Sequence, residues 1–211
     1  MDMARNMGLA IEKSFVNSTK VIDRFHVVRL VMDAMQHLRV KLRWKAIEEE
    51  NTAIKQAKEK GEKYYQQVLS NGDTLKELLA RSRYLLYKFE DDWTITQRKR
   101  ATILFEKYPT LKAAYQLTLS FRNIYKNFSK SQAASQFNEW KENVTAIKAD
   151  EFNTVVNSIE YHLDNILNFF DSRSTNANAE SFNSKLKGFR ANLRGVSDVK
   201  FFLFRLEKLF A

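Results

Sequence analysis

"FHVVRLVMDAMQHLRVKL", residues 25 to 42, decides the fold. Val28, Val31, Met35, Leu38 and Leu42 recur at alternating steps of three and four, the spacing of a helix face turned toward a core. The stretch contains no glycine and no proline to interrupt it. Beyond Trp44 the stripe thins to alanines. "EEENTAIKQAKEKGEK", residues 48 to 63, is mostly charged, so the far half of this helix is expected to project into solvent.

The rest of the chain reads in the same way. Only five glycines and one proline punctuate 211 residues, which favours long helices over many short strands. Three helix starts carry a capping-box pattern: Thr74 with Glu77, Thr94 with Gln97, and Ser129 with Gln132. Pro109 separates one helix from the next, because the residue before proline is pushed out of the helical region. From Asp150 onward, Phe152, Val155, Val156, Ile159, Leu163, Ile166, Leu167 and Phe170 predict one amphipathic helix. Residues 25 to about 170 therefore read as one helical bundle. A short helix with Leu9, Ala10 and Phe15 on its apolar side is expected before it. "STKVID", residues 18 to 23, is the one segment that reads as a strand, through Val21 and Ile22. A lone strand cannot satisfy its own backbone groups, and no partner strand is legible.

Composition narrows the function. With no cysteine, disulfides and thiolate metal sites are excluded. No apolar run approaches the roughly 20 residues of a membrane span, and no secretory leader is visible. The expectation is a soluble, cytoplasmic protein without a membrane partner. The net charge of +10 favours a polyanionic partner, nucleic acid above all, although a basic surface also serves solubility.

Three constellations carry the chemistry. In "STNANAESFNSKLKGFRANLRG", residues 174 to 195, Phe182, Leu186, Phe189 and Leu193 predict a helix with a buried stripe. Glu180 then sits in its first turns, away from that stripe. There it is either an acid favoured by the helix dipole or a functional carboxylate. In "VIDRFHV", Asp23 and His26 are one helical turn apart. They are either a polar functional pair or a helix N-cap followed by a partly buried polar residue. Lys185, Lys187, Arg190, Arg194 and Lys200 form a basic region suited to phosphates. Phe189, Phe201, Phe202 and Phe204 interleave with it and are expected in the core. His26 has no second histidine or cysteine at ligand spacing and makes no metal site by itself.

Taken together, "VIDRFHVVRLV" and "TNANAESFNSKLKGFRANLRGVSDVKFFLFRL" resemble the carboxy-terminal part of a DDE-type insertion-sequence transposase of the ISL-three type. The resemblance covers essentially the whole chain, with its specific motifs at the two ends. It implies a mainly α chain: a helical insertion bundle, residues 25–170, flanked by remnants of an RNase H-like α/β domain. Those remnants would be residues 1–24 and the basic-faced helices of residues 171–211. It implies that Glu180 is the final catalytic glutamate, Asp2 the second catalytic aspartate, and Asp23 with His26 the D-x-x-H motif. The family's first catalytic aspartate has no counterpart here, and the resemblance places residue 1 where the fourth strand of the fold has just ended.

The implied chemistry is metal-dependent cleavage and transfer of DNA strands at insertion-sequence ends. Asp2 and Glu180 would be the ligands of Mg²⁺ or Mn²⁺. Two such ions about 3.5–4 Å apart activate the attacking oxygen and stabilise the leaving one. Without the first aspartate, the chain alone is expected to be inactive. DNA is the implied partner, a homodimer the implied assembly, and the nucleoid the implied location. The competing reading is a non-catalytic, basic, all-helical DNA-binding or interaction protein.

Overall fold

A computed structural model describes Met3, Lys13 and residues 17–147, 149–173 and 177–210. The helix expected at the amino terminus lies outside the described residues. The long helix, α1, runs from Arg24 to Glu59. At a rise of 1.5 Å per residue its 36 residues span about 54 Å. Val27, Val31, Ala34, Met35 and Leu38 are its buried row. Val28 and Leu42, expected as the two ends of that row, are only partly buried. Ala46 is the last buried position. Around and beyond it, Lys45 pairs with Glu49 and Lys55 with Glu59 on a mostly exposed rod, which the returning chain touches at Glu50 through Lys76 and Gln66. Gly61, at φ +70°, ends it: its N–H bonds Lys58 O and the Glu62 N–H bonds Ala57 O, carbonyls of the last helical turn.

The chain then returns to α2 (Leu75–Arg81), α3 (Ile95–Lys107), α4 (Pro109–Ile124) and α5 (Lys130–Ile147). Both bonds of the capping box form at Thr74 and at Thr94. At Ser129 only the hydroxyl half forms, the Gln132 N–H reaching Ser129 Oγ at 3.5 Å. Pro109 occupies the first turn of α4, where its missing N–H costs nothing. α1 packs on α2 and α4, and α4 packs on α5. Phe121, Phe137 and Trp140 fill the α4–α5 seam edge to face, and the Trp140 indole donates to Leu117 O at 2.9 Å.

The amphipathic segment from Asp150 keeps its expected apolar face but is not one helix. After a single 3₁₀ turn (Asp150–Phe152) it divides into α6 (Asn153–Tyr161), α7 (Leu163–Leu167) and α8 (Phe169–Ser172). The break at His162 has φ −108° and ψ 10°, which turns the later residues inward without losing the burial of Ile166, Leu167, Phe169 and Phe170. Two further helices follow, α9 (Ala177–Asn192) and α10 (Val199–Phe210). The mainly α expectation holds, and no helix among the described residues is long and apolar enough to cross a membrane.

The strand expected at 18–23 does not form, and no strand occurs among the described residues. The segment is extended and finds its hydrogen bonds on helices instead. The Ile22 N–H donates to Asn165 O at 3.0 Å, and Asn168 Nδ2 donates to Lys20 O at 2.9 Å. Ile22 is fully buried. Docking on α7 and α8 thus replaces the missing sheet partner, and it brings the entry to α1 beside the end of the bundle.

Candidate catalytic and nucleic-acid-binding positions

Asp23 is buried and caps α1. Its Oδ1 accepts the Phe25 N–H at 2.7 Å, and its carbonyl accepts the His26 N–H at 3.1 Å. One of the unpaired donors of the first turn is thereby satisfied. His26 is half-buried and meets the Phe25 ring edge to face at 5.8 Å between centroids. The N-cap expected of "DRFH" is formed. It makes a testable contrast. Asn caps as well as Asp, so Asp23→Asn is expected to leave thermal stability nearly unchanged, whereas Asp23→Ala costs about 1 kcal/mol. Equal losses in thermal melts of the two variants would mean the charge, not the cap, matters.

Near the same corner lies the Tyr125 hydroxyl, buried and without a hydrogen-bond partner. Burial first, then the charge of Asp23, push its ionisation well above the ordinary tyrosine range. The ring is held by Phe169 and Phe170, edge to face and stacked. The corner that joins the start of α1 to α8 is therefore aromatic, with the Asp23 carboxylate near it.

Asp2 lies outside the described residues, and so does the Glu180 side chain, although residue 180 falls within α9. The expected convergence of Asp2, Asp23 and Glu180 therefore has only Asp23 placed. Among the described residues no group of three or more His, Asp or Glu side chains is disposed to hold a metal ion.

Lys185, Lys187, Arg190, Arg194 and Lys200 are all exposed on α9, α10 and the turn between them. Lys187, Arg190 and Arg194 recur at steps of three and four, a cationic row along one face. Arg194 has φ +53° and, with Gly195 at +120°, ends α9 in a left-handed turn. The aromatic expectation fails here. Phe182, Phe201 and Phe204 are 44%, 58% and 53% exposed, so they are not core. No residue of α10 is buried. Two helices that cover each other can bury only one seam. Phe189 and Phe202 occupy it, stacked at 5.7 Å, with the Arg205 guanidinium 5.2 Å from the Phe189 centroid.

The buried charge of Asp73 escaped sequence reasoning. Asp73, in the turn "SNGDT", is 1% exposed and accepts from Arg81, from Arg100 Nε at 3.0 Å and from Asn71 Nδ2 at 2.8 Å. It ties α2 to α3. The Asn-Gly-Asp run was legible as a turn, but nothing in it indicates that two distant arginines converge on the carboxylate.

A chain that is mainly helical among its described residues and carries an exposed cationic row falls in the class of basic helical proteins. The chain belongs to the DDE transposases of the ISL3 type: that family's model, described as "Transposase", matches residues 1–206. No curated protein and no solved structure matches it.

Proposed function

We propose that residues 1–211 carry the helical insertion and carboxy-terminal region of a transposase that cleaves and transfers DNA strands at insertion-sequence ends. The observation that carries this reading is the family match over residues 1–206, which spans both expected motifs. The bond from the Ile22 N–H to Asn165 O supports a division into residues 1–24, 25–170 and 171–211. An insertion must leave and re-enter its host domain at one place. In this division the flanks belong to an RNase H-like core.

Asp2 and Glu180 are the carboxylates that would hold Mg²⁺ or Mn²⁺, an all-oxygen donor set of the kind hard cations take. The bound metal supplies charge stabilisation for the attacking and leaving oxygens. Asp23 serves the site by position, since its carboxylate already holds the first turn of α1. Lys185, Lys187, Arg190, Arg194 and Lys200 hold the phosphate backbone. The family's first aspartate has no counterpart in residues 1–211, so these residues by themselves are expected to cut no DNA. The partner is DNA, the assembly a homodimer and the location the nucleoid.

The test is duplex binding followed by fluorescence anisotropy across a salt series. Affinity should fall steeply as salt rises, because each phosphate contact releases condensed counterions. Lys187→Ala with Arg190→Ala should weaken binding alike on unrelated sequences and reduce the salt slope by about 2, roughly 1 per contact. A wild-type chain that ignores DNA at low salt would remove the reading.

A further inference from the structure

Two of the buried charges, Asp73 and Arg39, are treated differently by the fold. Asp73 is neutralised by Arg81 and Arg100. Arg39 is not neutralised at all. It lies on the inner part of α1 at 6% exposure, and its guanidinium donates only to neutral oxygens. Nε reaches Gln36 Oε1 at 2.6 Å and Nη1 reaches Leu79 O at 2.9 Å, in the last turn of α2. Gln36 in turn donates through Nε2 to Arg83 O at 3.1 Å, which fixes the chain just past α2 against the same spot.

Two more guanidiniums gather there. Arg43 is one turn farther along α1, and Arg83 follows α2; both are exposed. Among the described residues none of the three makes an ion pair. Burial, then the charges of Arg83 and Arg43, push the Arg39 guanidinium below its ordinary range, against a smaller opposing influence of Tyr87. A buried cation beside two others is costly unless an anion completes the group. Arg83 also lies over the exposed Tyr84 ring, 5.5 Å from its centroid, which holds the guanidinium at the surface next to a phenol able to donate to an oxyanion.

We infer that Arg39, Arg43 and Arg83 form a second phosphodiester-contact site, on the helical bundle and separate from the cationic row of α9, which grips the backbone of duplex DNA. Guanidinium forks match phosphate oxygens in pairs, which a lysine cannot do. Two exposed forks, one on α1 and one just past α2, suit successive phosphates of a strand better than one small anion. Arg39 acts from beneath, as fixed positive charge, while Arg43 and Arg83 make the contacts. The choice of DNA over other polyphosphates rests on the transposase reading; the arginine geometry does not.

The experiment uses the whole chain and a short duplex. Arginine modification by phenylglyoxal, located by mass spectrometry, should reach Arg43 and Arg83 in the free chain, be blocked by duplex DNA at low salt, and return at high salt. Arg43→Gln with Arg83→Gln should reduce the salt slope of DNA binding by about 2. Lys55→Gln with Lys58→Gln, the same charge change on the exposed rod of α1, should leave it unchanged. If DNA binds the wild type but both arginines stay open and the slope holds, the second site is wrong and the transposase reading stands. A slope that falls equally in the rod control shows a general charge effect and also overturns the site. A chain that binds no DNA overturns both readings, and protection by duplex RNA but not DNA overturns the assignment to DNA.

Discussion

Asp73→Ala should lower the stability of the folded chain by about 3 kcal/mol, the low end of what breaking a buried charge pair costs. The low end applies because Arg81 is half exposed and keeps Glu77 as a partner, so only Arg100, 20% exposed, loses its main counter-ion. For a chain of this size the loss corresponds to a melting point roughly 6–12 °C lower. It should appear as a shift of the urea midpoint with an unchanged slope, since the packing of α2 on α3 changes and the surface exposed on unfolding does not. A loss below about 1 kcal/mol would mean that the network contributes no more than an exposed salt bridge.

The same carboxylate fixes the acid limit. Burial raises the Asp73 carboxyl, but the hydrogen bonds and charges of Arg100 and Arg81 outweigh it and hold the group below its ordinary value. A carboxyl with a depressed folded value contributes stability that is complete above the unfolded value, about 3.9. That contribution is lost as pH falls through the folded value. The stability gap between wild type and Asp73→Ala should therefore be constant at neutral pH and narrow only below about pH 4. A gap that closed between pH 6 and 8 would point to a different group.

The sequence and the structure agree where one helix face decides the outcome. The stripe on residues 25 to 42, the boxes at Thr74 and Thr94 and the stop at Pro109 are local signals, and each is satisfied by its own neighbours. The misses are tertiary. "STKVID" has the composition of a strand, but its N–H and C=O groups are taken by Asn165 and Asn168, more than 140 residues away. The periodicity of residues 152 to 170 continues through His162, where the backbone turns. The aromatic residues of α10 have core composition, yet two paired helices leave most of them outside. Within the candidate site, the exposure of the basic row was legible from its spacing. The Asp73 network and the Arg39 cluster were not, because each joins residues that only the folded chain brings together.

Glu180→Ala should abolish strand cleavage in an active transposase assembly that contains this chain, while metal-free DNA binding stays equal or tightens. As a first-turn acid, Glu180 would contribute only about 0.3–1 kcal/mol through the helix dipole, a term that alters stability and leaves chemistry alone. As a metal-holding carboxylate on the same helix as Lys187 and Arg190, its removal takes negative charge away from the phosphates and a ligand away from the cation. The first change favours binding; the second removes charge stabilisation from the reacting oxygens. Glu180→Gln separates the two roles. It keeps length and hydrogen-bonding capacity, so a dipole residue would lose a fraction of a kcal/mol and cleave at the wild-type rate. A ligand would lose cleavage in full, since a neutral amide is a poor donor to Mg²⁺ beside an anionic substrate. Thermal melts without metal should then barely distinguish Glu180→Gln from wild type, and strand-cleavage gels with Mg²⁺ should distinguish them completely. Wild-type cleavage by either variant would return Glu180 to the helix dipole and leave the D-x-x-H corner without a catalytic partner on α9.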